Sequence, residues 1–463
     1  MKKNHNRYTF GLGTIGRDML YSLISMYLIF YLTDIVELPN SVLWWITAII
    51  MGARIFDALN DPVMGVIVDN TRTRWGKFKP WITIGAVTSG FFTIMLFTDF
   101  GLTGMGYVPL FAVLYLLWGI SFTANDISYW SMLPSLSMNQ KEREKIGAFA
   151  RICANVGLFI VVAGIVPITN AIGDTTGSMK TAYLIFTIAI VIIMLAGQSI
   201  TLFGVREKKG VFKKEEKTTL KGMVRAIFKN DQLLYTAIAM ALFMIGYVTT
   251  TSFGLYYFKY AFGDEGMYSI FAVILGVAQI TALAIFPLFS KRFNRKKLYT
   301  GATIFVFAGY VVFFFSPMNM IFIGIAGLLL FLGQAFIQLL MLMFLADTVE
   351  YGQWKLGKRN ESVTFALQPF INKMGGAVAS GIVGATVIIS GINDAKTAAD
   401  VTPGGLLTLK LAMFVLPLIF IIAGYLIYRF KYKIDQKMFK QMLAELEDRG
   451  DIHLVEEVID ADN

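Results

Sequence analysis

Three charged residues lie within eight positions of one long apolar stretch. Arg54, Asp57 and Asp61 lie in the middle of a run that begins near Val42, and their i, i+3, i+7 spacing puts them on one face of a helix. A charge inside a bilayer costs several kcal/mol, so an ionisable residue there marks a functional site. We interpret Arg54 as the counter-charge to the two carboxylates.

Neutral oxygen donors lie close to these carboxylates. Asn60 precedes Asp61, and Thr123 lies in another apolar stretch. Carboxylate, amide and hydroxyl oxygens suit a hard cation such as Na⁺, which makes Asp57 and Asp61 candidate metal ligands. Alternatively, one of two neighbouring carboxylates in a low-dielectric cavity can carry a proton. The residues themselves leave both alternatives open.

A second polar group points to sugar chemistry. It consists of Asp18, Asp126, Trp130 and Arg151, and Asp126 and Trp130 share a helix face at i, i+4. Carboxylates and guanidinium groups hydrogen-bond to vicinal hydroxyls, and an indole ring stacks on the apolar face of a sugar. The alternatives are core packing or an interfacial belt for Trp130, and structural ion pairs for the charges.

The elements that carry these residues are transmembrane helices. The chain has 463 residues, is 56% hydrophobic and only 16% charged, whereas soluble domains have about 25% charged residues. We predict an all-α membrane protein with twelve spans of roughly 20 residues, at 9–34, 42–68, 80–98, 106–132, 146–171, 181–204, 232–259, 267–289, 298–315, 319–346, 362–391 and 406–429. We expect no cleavable signal peptide, and the single cysteine excludes an internal disulfide framework.

The basic residues predict the orientation. Of 41 lysines and arginines, 33 fall in the tails and loops of one side, four in the loops of the other, and four within spans. This asymmetry predicts that both termini lie in the cytoplasm and that the chain lies in the cytoplasmic membrane. The net charge of +10 is then explained by topology, and we expect no nucleic-acid partner.

A polar loop divides the spans into two sets of six. We predict an N-terminal half at 1–204, a cytoplasmic middle loop at 205–231, a C-terminal half at 232–431 and a cytoplasmic tail at 432–463. Met438, Met442 and Leu446 are spaced i, i+4, i+8 in the tail, which predicts an amphipathic helix there. Basic segments follow spans 2 and 8, the equivalent spans of the two halves, as in the major facilitator architecture.

Several long motifs in order resemble one known family, the glycoside–pentoside–hexuronide:cation symporters of the melibiose and lactose permease type. The resemblance covers about residues 10–435. The strongest segments are ARIFDALNDPVMGVIVDNTRTRWGKFKPW (53–81), DISYWSMLPSLS (126–137), EREKIGAFAR (142–151), YYFKYAFGD (256–264), DTVEYGQWKLGKRNES (347–362) and QPFINKMGG (368–376).

The resemblance implies uptake of a glycoside (a di- or oligosaccharide, galactoside or pentoside) by symport with Na⁺ or H⁺ and alternating access, with no cofactor besides the coupling ion. By position, the resemblance implies a cation site made of Asp57, Asn60, Asp61 and Thr123. It implies a sugar site made of Asp18, Asp126, Trp130 and Arg151, with Arg17 beside it and Lys373 near both sites. It also implies a cytoplasmic gating network that contains Asp347, Glu350 and Glu361. Gln338, and Pro369 after Gln368, depart from the melibiose type and leave the sugar open. The Asp57, Asn60, Asp61 set favours Na⁺.

Other functions are weaker alternatives. A lipid flippase or a non-transporting sugar sensor on the same fold would need an apolar cavity, whereas spans 1, 2 and 4 carry polar residues. A membrane enzyme is third, because both histidines, His5 and His453, lie in the tails and no nucleophile constellation is present. We therefore expect a transporter whose partners are a glycoside, a coupling cation and the lipid bilayer.

Overall fold

The computed structural model describes residues 5–452 except 103, 138, 206–226, 265–266, 393–394 and 396. These residues form long helices joined by short turns. The helices are α1 (His5–Ser22), α2 (Asn40–Asn70), α3 (Lys79–Leu96), α4 (Tyr107–Ser131), α5 (Gln140–Thr176), α6 (Met179–Gly204), α7 (Asp231–Phe262), α8 (Met267–Arg292), α9 (Arg295–Phe315), α10 (Met320–Leu356), α11 (Glu361–Ile389), α12 (Pro403–Lys431) and α13 (Gln436–Asp448).

The helices coincide with the predicted spans. Within the described residues, ten helices are long and apolar enough to cross a membrane, and they lie at predicted spans 2 and 4 to 12. Predicted spans 1 and 3 correspond to α1, which contains Arg17 and Asp18, and to the 18-residue α3, which begins at Lys79. The all-α fold is therefore confirmed.

Local chemistry explains where several helices begin and end. The side chains of Asn139, Asn294 and Asn319 accept hydrogen bonds from the first backbone N–H groups of α5, α9 and α10. Gly177 and Gly357 follow α5 and α10 in the left-handed conformation, with φ of 68° and 66°. Glycine adopts this conformation without steric cost, so it stops a helix there.

Some helices continue through π-helical turns. α1 is followed by such turns at Leu23–Tyr27 and Tyr31–Ile35, so the helical path extends to residue 35. α7 ends in a third, Tyr257–Phe262, and α12 contains a fourth, Leu411–Val415. Each wide turn shifts the helix face on which the next side chains lie.

The chain forms two compact units. The first contains residues 1–223 and 360–366, and the second contains 224–359 and 367–463. In the first, α1 packs against α5 and α6, and α4 packs against α2 and α3. In the second, α9 and α8 pack against α10, and α7 packs against α12. The predicted boundaries at 204 and 232 stay predictions, because most of the middle loop lies outside the described residues.

Glycines bring α1 close to its neighbours. A Cβ atom at Gly16 would lie 2.3 Å from the Cα of Met194 on α6, and one at Gly157 of α5 would lie 2.2 Å from the carbonyl oxygen of Ile15. Small residues allow such backbone approach in membrane bundles. They fix the position of Arg17 and Asp18, the next residues of α1.

The tail helix α13 is present where its apolar spacing predicts one. It packs against α10, and its buried face consists of Phe439, Met442, Leu443 and Leu446. The indole Nε1 of Trp354 on α10 donates a hydrogen bond to Glu445 over 2.7 Å. The last turn of α10 is thus covered by the tail.

Candidate functional site

A buried arginine holds two carboxylates in the first unit. Arg17 Nη2 lies 3.1 Å from Asp18 Oδ2, and its Nη1 lies 2.9 Å from Asp126 Oδ1. The Arg17 side chain is 3% exposed, whereas those of Asp18 and Asp126 are 28% and 25% exposed. One buried cation therefore fixes two carboxylates that remain accessible to a ligand.

Two aromatic rings lie beside these charges. The guanidinium carbon of Arg17 is 4.9 Å from the centroid of the Tyr129 ring and 5.2 Å from that of Trp130. Arg151 lies 4.4 Å from the Trp130 centroid. These are cation–π distances. The contiguous group formed in this way contains Arg17, Asp18, Asp126, Trp130 and Arg151. We call it the sugar cluster after its predicted role, and that role stays a prediction.

Tyr129 is a site residue that the sequence reasoning missed. Its hydroxyl donates to the carbonyl of Phe10 and lies 3.1 Å from Thr201 Oγ1, so it joins α4 to α1 and α6. Its ring also stacks on Phe10, with centroids 4.6 Å apart. The sequence feature that could have pointed to Tyr129 is its position next to Trp130.

A second group lies where α2 faces α4. Thr123 Oγ1 donates to Asp61 Oδ1 over 3.3 Å, and Asp61 is 1% exposed. One turn earlier on both helices, a Cβ atom at Gly119 would lie 3.0 Å from Asp57 Oδ1. The structure therefore brings Asp57, Asp61 and Thr123 together, and Gly119 makes room for the first carboxylate.

Asn60 and Arg54 lie on the same helix, α2, as the two carboxylates. We call the predicted set of Arg54, Asp57, Asn60, Asp61 and Thr123 the cation cluster, after its predicted role. The buried Nδ2 of Asn60 has no hydrogen-bond partner among the described residues. Because an amide can be turned to present its oxygen instead, Asn60 suits either a donor or an acceptor role. Arg54 is exposed on α2, and its role as a counter-charge stays a prediction.

The two clusters share helix α4. Thr123 of the cation cluster and Asp126 of the sugar cluster are three residues apart, which places them one helical turn from each other. This turn therefore contributes one residue to each group.

The predicted gating residues fall into two clusters, one in each unit. In the second unit, Asp347 pairs with Arg295, and Glu350 lies 3.3 Å from Arg359. In the first unit, Glu361 lies 2.8 Å from Lys77. Lys373 lies on the part of α11 that belongs to the second unit. Its assignment to the sugar site, and the gating role of the three acids, stay predictions.

Asp69 is a further residue that the prediction omitted. Its two carboxylate oxygens accept hydrogen bonds from the backbone N–H groups of Ser362 and Val363, each over 3.0 Å, and Lys77 lies 3.4 Å away. Asp69 therefore caps the N-terminus of α11. The sequence feature that could have pointed to Asp69 is its position as a lone acid ahead of the basic segment that follows span 2.

Long apolar helices around paired buried charges define a multi-pass membrane transporter. The chain belongs to the family described as MFS/sugar transport protein, which matches residues 9–436. It is 33% identical to the raffinose carrier protein of Pediococcus pentosaceus, covering 96% of this chain and 73% of that protein. It is 32% identical to the lactose permease of Leuconostoc lactis, covering 95% and 71%.

A solved structure shows the same fold. The E. coli fucose:proton symporter superposes with a TM-score of 0.66, covering 91% of this chain and 98% of that one, at 13% sequence identity. The predicted major facilitator fold and the predicted symporter family are both confirmed. The chain is a sugar transporter of this superfamily and not an enzyme.

Proposed function

We propose that this protein imports a galactoside by symport with Na⁺ or H⁺. The observation that carries the proposal is the shared turn of α4, on which Thr123 belongs to the cation cluster and Asp126 to the sugar cluster. Because one short segment serves both groups, binding of a cation and binding of a sugar each bias the same backbone.

The sugar cluster fits a polyhydroxylated ligand. Asp18 and Asp126 are held by Arg17 and keep accessible oxygens, which can accept hydrogen bonds from neighbouring sugar hydroxyls. Trp130 supplies an indole held against Arg151. The galactoside class is supported by relatives named for raffinose and lactose, two galactose-containing sugars.

The cation cluster fits a monovalent ion. Two carboxylates and a hydroxyl are oxygen ligands for Na⁺. The same pair of carboxylates can instead share a proton, so Na⁺ and H⁺ remain the two candidates. We expect Asp61 to be indispensable in either case, since it is the more buried of the two acids.

The membrane orientation is part of the proposal. The basic residues of the turns after α2, α8 and α10 support a cytoplasmic position for those turns and for both termini. The protein then lies in the bacterial cytoplasmic membrane and moves the sugar inward with the cation.

Reconstitution in proteoliposomes tests the proposal. Raffinose, lactose, a methyl xyloside and a methyl glucuronide are offered under an imposed Na⁺ gradient and then an H⁺ gradient. We expect uphill accumulation of raffinose or lactose with one of the two ions. Asp61→Asn should abolish accumulation, and Asp126→Asn should abolish sugar binding. The matched control is Asp99→Asn, an acid in the loop between α3 and α4.

The result that contradicts symport is sugar-independent ion movement, or no ion movement with any sugar of the panel. A flippase or a sensor on this fold would give that result. Wild-type accumulation by Asp61→Asn would remove the cation cluster from the mechanism.

A further inference from the structure

Two buried amide side chains join four helices of the first unit. The Nδ2 of Asn125 on α4 donates to the backbone carbonyl of Ile82 on α3 over 2.9 Å. The same nitrogen donates to Oε1 of Gln198 on α6 over 3.1 Å. The Nε2 of Gln198 in turn donates to the backbone carbonyl of Gly13 on α1 over 2.7 Å. We call Asn125 and Gln198 the amide pair.

The amide pair contacts the backbone on both sides of the ion pair between Arg17 and Asp126. In an α-helix the carbonyl of Gly13 accepts a hydrogen bond from the N–H four residues later, which is that of Arg17. Gln198 therefore binds the carbonyl that also holds the turn of Arg17. On α4, Asn125 is the residue immediately before Asp126. The two amides thus connect the backbone turns that bring Arg17 and Asp126 to within 2.9 Å.

Close packing leaves these amides little freedom. Asn125 is 0% exposed and Gln198 is 1% exposed. A Cβ atom at Gly85 of α3 would lie 2.6 Å from the backbone nitrogen of Asn125, so α3 and α4 are in close contact at this point. Removing one amide would leave the other buried with an unsatisfied polar group, which is costly. The pair therefore fixes the spacing between the helices that carry the sugar cluster.

We propose that the amide pair positions Arg17 and Asp126 for sugar binding. The inference rests on the sugar-binding role of Asp126 in the function proposed above. Neither amide contacts the sugar, because both are buried. A ligand that binds several fixed groups at once depends on their separation, and a displacement of about 1 Å is enough to weaken it. Asn125 and Gln198 are positioning residues that act through the backbone of their neighbours.

A purely structural amide pair would stabilise the helices without affecting sugar affinity. Gln198→Met keeps an unbranched side chain of similar length and removes both hydrogen bonds of Gln198. Tyr31→Phe is the matched control, because it also removes one buried hydrogen bond between helices of the first unit. The hydroxyl of Tyr31, which is 1% exposed, donates to the carbonyl of Phe97 over 3.0 Å. Tyr31 lies about 20 Å beyond Arg17 along the helical path.

The test measures sugar binding to the purified protein by calorimetry in the presence of the driving cation. The probe is raffinose or lactose, whichever the wild type accumulates faster. We expect Gln198→Met to weaken sugar affinity roughly tenfold, and Tyr31→Phe to stay within about twofold of the wild type. Cation affinity without sugar should stay within about twofold in both variants, because Asp57 and Asp61 lie on α2. Both variants should lower the thermal unfolding midpoint.

The conservative variant Gln198→Glu tests the hydrogen bonds themselves. An uncharged carboxylic acid offers one O–H donor for Gly13 and an acceptor for Asn125, whereas the ionised form has no donor. We expect the sugar affinity of Gln198→Glu to be closest to that of the wild type in acid and to fall away as the pH rises. Comparison with the wild type at each pH removes the titration of the other carboxylates of the site. The ratio of Gln198→Met to the wild type should not change with pH.

Three results overturn the inference. Wild-type sugar affinity in Gln198→Met would show that the amide pair is structural only, while the proposed function would stand. Equal weakening in Tyr31→Phe would attribute the loss to lowered stability. A pH-independent ratio of Gln198→Glu to the wild type would exclude the hydrogen bonds, and this result decides the matter even where Gln198→Met fails to fold. By contrast, a wild type that binds no sugar of the panel would overturn the proposed function itself.

Discussion

Arg17 shows how one residue organises several others. Each of its terminal nitrogens lies within ion-pair distance of a different carboxylate, and its guanidinium group lies near two aromatic rings. A buried charge persists only when it is paired and hydrogen-bonded. Lysine at this position would offer a single ammonium group and could not serve both acids in the same geometry. The neighbouring carboxylates are therefore preorganised before any ligand arrives.

Gly119 gives a prediction at the same scale. An added methyl group would lie 3.0 Å from Asp57 Oδ1, which is too close, so the carboxylate must move by a few tenths of an ångström. We expect Gly119→Ala to weaken cation affinity by roughly tenfold, about 1.4 kcal/mol, while sugar binding without cation is retained. Cation titrations of the purified protein measure this.

The control is Gly52→Ala on α2, where an added Cβ would have no neighbour within 4 Å among the described residues. It should bind the cation as the wild type does. Equal affinities in the two variants would mean that the close approach of α4 to Asp57 is not needed for binding.

Spacing along one helix was enough to predict part of the site. It placed Asp57 and Asp61 on one face of α2, and Asp126 and Trp130 on one face of α4. It could not reveal Gly119, because the role of this residue arises from a contact between two helices that are distant in sequence. Local periodicity holds no information about which helix lies opposite.

At the scale of elements, the capping of α11 makes a testable contribution. Asp69 is 3% exposed and satisfies two backbone N–H groups at the start of that helix. Loss of a cap costs about 1 kcal/mol, or roughly 2–4 °C in a unit of this size. We expect Asp69→Ala to lower the thermal unfolding midpoint by that amount in detergent, and Asp69→Asn to lower it less.

Asp99→Ala is the comparison variant. Asp99 lies 2.8 Å from Lys180, but both side chains are about one-third exposed, and exposed ion pairs contribute little. Its midpoint should stay near that of the wild type. A fall in the Asp99→Ala midpoint as large as that of Asp69→Ala would show that the capping contact stabilises the protein no more than an exposed ion pair does.

The tail helix α13 gives a prediction that depends on pH. The hydrogen bond from the indole of Trp354, and then that from Gln441, lowers the pKa of Glu445. Because the pKa is lowered in the folded state, the contact contributes its full stability at a pH above the ordinary carboxyl pKa. This stability is lost as the pH falls through the lowered pKa. We expect hydrogen exchange within 436–448 to rise roughly fivefold in Trp354→Phe at neutral pH.

The wild-type helix should lose the same protection only in acid. Lys437→Ala, on the exposed side of α13, is the control and should exchange as the wild type does. Unchanged exchange in Trp354→Phe would show that the apolar face of α13, and not this hydrogen bond, holds the tail in place.

At the scale of the whole molecule, the apolar stretches of the sequence predicted the all-α fold, and ten of the twelve predicted spans lie at helices long and apolar enough to cross a membrane within the described residues. The fold follows from long apolar segments, which have few alternatives in a bilayer. The capping contact between Asp69 and the start of α11 could not be predicted in this way, since it joins residues almost 300 positions apart in the sequence. Hydropathy identifies the helices, whereas packing determines their neighbours.

The orientation of the whole molecule is testable by thiol labelling, because its one cysteine, Cys153, is buried. We expect an impermeant maleimide to label Thr175→Cys in intact cells, and Lys291→Cys only after permeabilisation. The wild type gives the background. The reverse pattern would invert the proposed topology.

The π-helical turns have a consequence for comparing the two halves. Each such turn accommodates one residue more than an α turn does, so a helix can absorb an insertion without breaking. The helical path that starts at α1 contains two of them, and α7, the first helix of the second half, contains one. An alignment of the two halves therefore needs a gap within a helix, where gaps are normally penalised. Without that gap, every later position of this pair of helices would be matched to the wrong partner.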